Sequence, residues 1–439
     1  MIEYRTLRVA ILGAGSVGGQ VASLLLQHGA ELAARAGAGL ELVGIAVRDP
    51  TAPREPGIPA ALFTTDAETL ILGSDIVVEL IGGLEPARSH ILLALNSGAD
   101  VVTANKALLA EHGAELFAAA EQVGAQLYYE AAVGGAIPII RPLRDSLAGD
   151  RVTRILGIVN GTTNYILDRM DTTGDSMADA LAEATALGYA EADPTADIEG
   201  YDAAQKAAIL ASLAFHTTVP LDAVHREGMG AITPEQVATA RRAGYVIKLL
   251  AICERVMDVT TGVEGVSARV HPALVPLDHP LASVHGANNA VFVEAEAAGA
   301  LMFYGAGAGG IQTASAVLGD IVSVARRHVA GGPGVAESTH ANLPVLGIES
   351  VTTRYQITLT VIDQPGVLAS VASMFSDRDV SVEGVSQSVR HDGSPNAPTA
   401  TLVIITHRAA ESALAATVTA LAASPVVRGV ASVLRVEGQ

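Results

Sequence analysis

The N-terminal stretch constrains this chain most. The apolar run Leu7 to Leu12 ends in Gly13-Ala14-Gly15-Ser16-Val17-Gly18 and passes directly into Val21, Leu24, Leu25 and His28 at helical spacing. A strand, a tight turn and a helix in that order leave few choices. The glycines let the backbone turn sharply and approach a pyrophosphate closely, and the helix N-terminus attracts the anion. Glycines at such spacing are common, but their place between a strand and a helix favours a dinucleotide site over a structural turn. Gly13, Gly15, Ser16, Val17 and Gly18 are therefore expected to bind cofactor.

Leu40 to Val47 reads as a second buried strand, Ile76 to Ile81 as a third after the helical Ala67 to Leu72, and Asp100 to Thr103 as a fourth after Ala87 to Leu95. This alternation predicts an α/β, Rossmann-type, doubly wound parallel sheet with right-handed crossovers. After Pro142 the pattern changes. Val152 to Val159 is strand-like, Ser176 to Leu187 and Asp202 to Phe215 are helical, and Ala290 to Tyr304 reads as a hairpin turning near Gly299, which predicts an α+β mixed-sheet domain. Gly331-Gly332-Pro333-Gly334 and the polar stretch to Ser350 read as a linker. Tyr355 to Val361, Val367 to Asp377, Val380 to Gln387, Thr399 to Thr406, Ala410 to Ala422 and Val430 to Val436 then form a βαββαβ unit. The expected division is a dinucleotide-binding domain over 1–142 with 305–330 returning to it, and a substrate-binding and dimerisation domain over 143–304. A linker over 331–350 and a separable regulatory domain over 351–439 follow, so that a chain ending near Gly334 is expected to keep its activity.

Length and charge narrow the functions. The 439 residues exceed what one hydrophobic core supports, and the net charge of -19 repels nucleic acid and anionic membrane surfaces. The single cysteine, Cys253, excludes an intrachain disulfide and a cysteine-rich metal site, and Met1 to Arg5 shows no secretory pattern, so a cytoplasmic location is expected. The uncharged run Gly299 to Gly319 is long enough to cross a bilayer, but its glycines, Gln312, Thr313 and Ser315 fit a glycine-rich loop feeding a helix better.

Four features carry candidate chemistry. The second strand ends in Val47-Arg48-Asp49. Arg48 suits a 2'-phosphate and favours NADP, a solvated loop arginine is an equal reading, and Asp49 beside it favours NAD. Thr103 and Lys106 lie at the C-terminal edge of a parallel strand, where open α/β sheets bind ligands, although surface lysines are commoner than catalytic ones. Tyr304 to Gly310 forms a second glycine loop before a helix, and its Gly305 and Gly307 are expected to meet the cofactor. The densest polar cluster runs from Gly188 to Lys206. There Asp202 and Gln205 have capping-box spacing, and Asp202 and Lys206 have the spacing of a helix-surface salt bridge. The helix beyond Lys206 is almost purely apolar, however, so this lysine projects from a buried element and is a candidate for altered proton affinity.

Thr103 to Leu108, Tyr129 to Pro138, Gly157 to Leu167, Leu187 to Lys206 and Thr313 to Val317 resemble signature segments of homoserine dehydrogenases, collinear from about residue 7 to 330. The resemblance implies NAD(P)-dependent interconversion of L-aspartate 4-semialdehyde and L-homoserine. Hydride delivery to the aldehyde leaves a developing alkoxide that needs a cation or acid. The resemblance makes Lys206 the proton donor and puts Lys106 beside the reacting carbonyl. It also has Glu191 and Asp202, with Gly188, bind the substrate amine and hydroxyl, and Asp197 matches a further acidic position. The turn from Glu130 resembles the family's monovalent cation site, in which Glu130 and the carbonyls of Val133, Gly135 and Ile137 surround sodium. Without the resemblance it reads as an ordinary loop leading into a strand. Ile311-Gln312 departs from the family, where a proline usually precedes Thr313.

The tail resembles an ACT domain, with Asp363 to Leu368 at its first strand-to-helix turn and Val380 to Val385 as its second strand. ACT domains pair and bind small amino acids, which implies L-threonine as effector and a homodimer or homotetramer. A dimerisation module without ligand is the competing reading. The dinucleotide-binding strand starts at Leu7, so no kinase domain is expected ahead of it and the chain reads as monofunctional. Two rivals stand beside this reading. Another Rossmann dehydrogenase of a small amino or hydroxy acid would not require the Glu191 to Lys206 constellation. A non-catalytic amino-acid sensor would not require Lys106 and Lys206, and both are present.

Overall fold

The computed structural model describes residues 6–54, 57–258, 261–331, 339–390 and 399–438. Met1 to Arg5 and most of the first half of the expected linker, 332–338, lie outside the described residues. The chain forms two compact units: 1–161, 202–222 and 287–342 make one, and 162–201, 223–286 and 343–439 make the other.

The first unit is built on six strands, β1 (Thr6–Leu12), β2 (Gly39–Ala46), β3 (Phe63–Thr64), β4 (Ile76–Glu79), β5 (Asp100–Thr103) and β6 (Leu127–Tyr128). All pair in parallel, in the order β3-β2-β1-β4-β5-β6. That is the doubly wound order, with its switch point between β1 and β4. Every residue of β4 and β5 is buried, as expected of β-branched strands covered on both faces. The two-residue strands β3 and β6 are too short to leave a hydrophobic period, and sequence reading missed them. The helices Ser16–Ala36 and Gly310–Ala330 share one core, in which Val9, Ile11, Val21 and Leu25 pack with Val317, Ile321, Val324 and Ala325. A segment almost three hundred residues downstream thus closes the nucleotide fold. Truncating fully buried Ile321 to Ala there costs about 2–5 kcal/mol.

Downstream strands are β7 (Val152–Ile158), β8 (His225–Arg226), β9 (Tyr245–Met257), β10 (Glu264–Pro276), β11 (Asn288–Ala295) and β12 (Gly299–Ala306). The C-terminal module adds β13 (Thr352–Ile362), β14 (Val382–Arg390), β15 (Thr399–Thr406), β16 (Ala409–Ala410) and β17 (Val427–Val436). In the first unit, β12, β11 and β7 form an antiparallel ladder.

In the second unit, β9 and β10 pair antiparallel along thirteen residues. The sequence reading left this stretch unassigned. The Pro272 in β10 argues against a central strand, but it sits at the junction between the part of β10 that pairs with β8 and the part that pairs with β17. The module's strands run β17-β13-β15-β14, with its helices Val367–Ser376 and Glu411–Ala422 contributing Val371, Phe375, Leu414 and Leu421 to a core of its own. This module does not hang free. β17 lies parallel beside β10, pairing Arg435 with Ala273 and Val436 with Leu274, and the Glu437 N–H donates to the Leu274 carbonyl at 2.9 Å. The second half of the expected linker also pairs with β10, since Val266 exchanges hydrogen bonds with Pro344 (2.9 Å) and Leu346 (2.8 Å). The C-terminal module and the second half of the expected linker are thus both hydrogen-bonded to β10.

Candidate active site

The glycine loop shows why each glycine is needed. A Cβ on Gly13, whose φ is +99°, would lie 2.7 Å from the Leu80 carbonyl oxygen, and one on Gly18 would lie 2.1 Å from that of Gly13. A Cβ on Gly15 would meet no protein atom within 4 Å, so this glycine leaves open space for a ligand. Ser16 and Val17 open the Ser16–Ala36 helix, whose N-terminus offers unpaired N–H groups. The second glycine loop comes to the same place. A Cβ on Gly310 would lie 2.9 Å from the Ser16 carbonyl oxygen, and one on Gly307 would overlap Asn289 at 1.9 Å. Two helix N-termini therefore stand side by side, with Gly305 at the end of β12 leading into them.

Arg48 is exposed just past β2. Sequence reading missed Arg54, whose guanidinium reaches the Asp49 and Ala14 carbonyls, the latter at 3.5 Å, and lies 5.0 Å over the Phe63 ring. No local pattern marks it. Thr103 is fully buried at the end of β5: its hydroxyl donates to the buried Glu79 carboxylate (2.7 Å) and accepts from the Asn105 N–H (3.0 Å). Glu79 also accepts from the N–H groups of Ile81 (2.7 Å) and Gly82 (3.1 Å). These bonds fix the sheet edge. Asn105 caps the Lys106–Val123 helix by accepting from the Leu108 N–H (3.2 Å) and anchors it by donating to the Gly83 carbonyl (2.7 Å). Lys106 is therefore delivered at the first helical position.

Lys106 and Lys206 meet on one carboxylate. Asp202 and Lys206 lie one turn apart on the buried Tyr201–Phe215 helix, with Lys206 Nζ 2.8 Å from Asp202 Oδ2 and 2.6 Å from the Val159 carbonyl oxygen. The Asn160 amide donates to the same Oδ2 at 2.9 Å, and Lys106 Nζ lies 2.8 Å from Oδ1. Burial pushes the Asp202 carboxyl up, but the charges and hydrogen bonds of Lys206 and Lys106 outweigh it and hold the group well below the usual carboxylate range. Lys206 is 10% exposed at its side chain and Lys106 40%, so one ammonium group is enclosed and the other is reachable. Asn160 and Val159 are the partners that sequence reading did not single out. Such a cluster presents N–H donors, held in place by a fixed anion, to an oxygen that gains negative charge.

Gly188, Glu191 and Asp197 belong to the second unit. Gly188 turns the chain at φ +77°, and the following Tyr189 is held by its carbonyl, which accepts from the Thr162 hydroxyl at 2.6 Å, and by its ring, 5.1 Å from that of Tyr165. Glu191 is exposed, and Asp197 lies in the short Thr195–Ile198 helix.

The Glu130 turn is buried in the first unit. The Glu130 carboxylate accepts from the N–H groups of Ile139 (2.6 Å), Ile140 (2.8 Å) and Arg141 (2.9 Å) and from Arg141 Nε (2.9 Å). It is committed to protein donors, so a cation here would have to be held by main-chain carbonyls. Gly135, at φ +60°, lies so close to Gly307 that a Cβ would be 2.3 Å from its carbonyl oxygen, and Val133 and Ile137 are buried beside it. Among the described residues no group of three or more His, Cys, Asp or Glu is placed to hold a metal ion, and no helix is long and apolar enough to cross a membrane.

Comparison with known proteins accords with this arrangement. Residues 13–130 match the family model described as homoserine dehydrogenase, NAD binding domain; residues 138–322 match homoserine dehydrogenase; and residues 355–425 match the ACT domain. A homoserine dehydrogenase of Mycobacterium tuberculosis is 56% identical over 438 residues, covering 99% of each chain. The crystal structure of a homoserine dehydrogenase from Thiobacillus denitrificans superposes with a TM-score of 0.90 at 38% identity, covering 99% of this chain and 98% of that one. A hyperthermophilic archaeal homoserine dehydrogenase in complex with NADPH matches at a TM-score of 0.61 and 26% identity, over 75% of this chain and 99% of that one.

Proposed function

The chain belongs to the homoserine dehydrogenase family and is an oxidoreductase, and on that premise we propose that it reduces L-aspartate 4-semialdehyde reversibly to L-homoserine with NADP as preferred cofactor and L-threonine as feedback effector. The observation that carries this reading is the Asp202 carboxylate gripping both Lys206 and Lys106.

The nicotinamide, when bound, supplies hydride to the aldehyde carbon. Lys206 then gives a proton to the oxygen, and in the reverse direction takes it from the hydroxyl. Lys106 stabilises the same oxygen while it is negative. Asp202 keeps both ammonium groups converged; by the family resemblance Glu191 and Asp202, with Gly188, take the substrate's amine and hydroxyl, and Asp197 matches a further acidic position. The carbonyls of Glu130, Val133, Gly135 and Ile137 suit a sodium ion, since a hard cation takes oxygen ligands. NADP is favoured because Arg48 and Arg54 put two guanidinium groups near the β2 end and the glycine loop. Threonine is favoured because the C-terminal module matches the ACT domain.

Steady-state oxidation of homoserine tests the proposal. Lys206→Ala should lower kcat by about a hundredfold or more with the Kd for NADP within about twofold; turnover near the unmodified level would overturn it. Arg48→Ala should raise the KM for NADP about tenfold or more but leave that for NAD unchanged. If threonine neither inhibits the full chain nor raises its Tm, the module is a dimerisation device.

A further inference from the structure

β8 is only two residues long, yet it touches two parts of the second unit that are far apart in sequence. It pairs in parallel with β10, His225 against Arg269 and Arg226 against Val270, and the Glu227 N–H donates to the Val270 carbonyl at 2.8 Å. Neighbouring residues of an extended strand project to opposite sides. Arg226 and Glu227 do so, and each side is occupied.

On one side stands the turn that leads into Asp202. The Arg226 guanidinium donates to the Glu199 carbonyl and lies 3.6 Å over the Tyr201 ring. Met229 N–H donates to the Ile198 carbonyl at 2.9 Å. The fit is tight: a Cβ on Gly228 would come within 2.6 Å of the Glu199 carboxylate, and one on Gly200 within 3.2 Å of Val270. On the other side stands the C-terminal module. Arg435, on β17, places Nη1 2.9 Å from Glu227 Oε1 and 3.0 Å from Oε2, and His225 Nε2 lies 2.8 Å from Oε1. Arg435 is itself held by Glu411, with Nε 3.0 Å from Oε1, and Glu411 accepts from the Tyr355 hydroxyl at 2.6 Å.

We infer that Arg226 and Glu227 are positioning residues for the substrate segment 188–202, and that Arg435 of the C-terminal module holds them in place. This rests on the reading of that segment as substrate-binding. Ile198, Glu199 and Tyr201, which β8 and the residues after it hold, lie within segment 188–202, so a shift in β8 passes directly into that segment. The Glu227 side chain is 42% exposed and that of Arg435 12%, so water screens the carboxylate end of the pair and neutralising Glu227 costs little global stability. What the pair fixes is where β8 lies.

The test uses the full chain with Glu227→Gln, Arg435→Met and the double variant. Each single change should raise the KM for homoserine about three- to tenfold, with kcat and the cofactor KM within about twofold. The double variant should be no worse than the worse single one, because both remove one link. Hydrogen exchange over 195–201 should quicken in Glu227→Gln, whose exposed site keeps folding intact. The inference is overturned if Glu227→Gln leaves both the homoserine KM and that exchange unchanged, or if the two single effects add. A crippled Lys206→Ala beside an unchanged Glu227→Gln would sink this inference alone; a fully active Lys206→Ala would sink the substrate-site reading beneath it.

Discussion

In the first unit one carboxylate, Asp202, lies between two lysines; in the second, two arginines lie between glutamates, Arg269 against Glu254 and Glu437, and Arg435 against Glu227 and Glu411. The arrangements are inverse, and the central group decides what each can do. Lysines around an anion can give up and regain protons, whereas an arginine at neutral pH cannot. Arg269 is 1% exposed and has no solvent-facing end, while Lys106 is 40% exposed. On the proposed reading, buried charge serves chemistry in one unit and holds strands together in the other.

The largest expected effect tests the first half of that contrast. Lys206→Arg keeps a positive charge near Asp202 but removes the exchangeable proton, so kcat should fall about 10²- to 10⁴-fold. A kcat close to that of the unmodified chain would mean that charge alone suffices and that the two clusters do not differ in kind. Next comes Arg269→Met, which leaves Glu254 and Glu437 without their shared cation and should destabilise the chain by about 3–5 kcal/mol in denaturant unfolding. A loss below about 1 kcal/mol would show the second cluster to be dispensable.

The smallest effect is a pair of opposed pH slopes. Burial lifts Asp320 in the first unit to about 7 against the pull of Arg141. Between about pH 4 and 7 the folded chain keeps a proton that the unfolded chain has lost, so stability from this group falls as pH rises through that window. Burial lowers Lys248 in the second unit to about 8 against Asp168 and Asp171. Between about pH 8 and 10.4 the unfolded chain holds the proton that the folded one has lost, so stability from this group rises with pH. Asp320→Asn should flatten the lower window and Lys248→Met the upper one; slopes of the same sign would contradict the burial of both groups.

What could be read beforehand follows the same division. Gly15 faces open space and Gly18 packs on Gly13 five residues before it, and Asp202 and Lys206 share a helix turn, so both features were visible as spacing, whereas the close approach of Gly13 to the Leu80 carbonyl was not. Lys106 could be placed at a sheet edge, but spacing alone could not set it against Asp202, because the doubly wound sheet makes that meeting. Arg435 and Glu227 are joined across 208 residues by a strand pairing with no local signature. β10 was hidden by Pro272, a residue that usually marks an edge, at the point where its neighbour changes from β8 to β17.

The parallel seam between β10 and β17 also has a temporal side. Some 150 residues separate the end of β10 from the start of β17. At synthesis rates of about 5–20 residues per second, the nascent chain carries β10 for about 8–30 seconds before its neighbour leaves the ribosome. Through that interval Ala273 and Leu274 can pair with β9 on one side, but their β17-facing side has no partner strand, and the Glu437 that compensates Arg269 has not been made. The interval is when the second unit is most exposed to wrong partners, which makes this seam the natural place for a chaperone to act and for aggregation to begin.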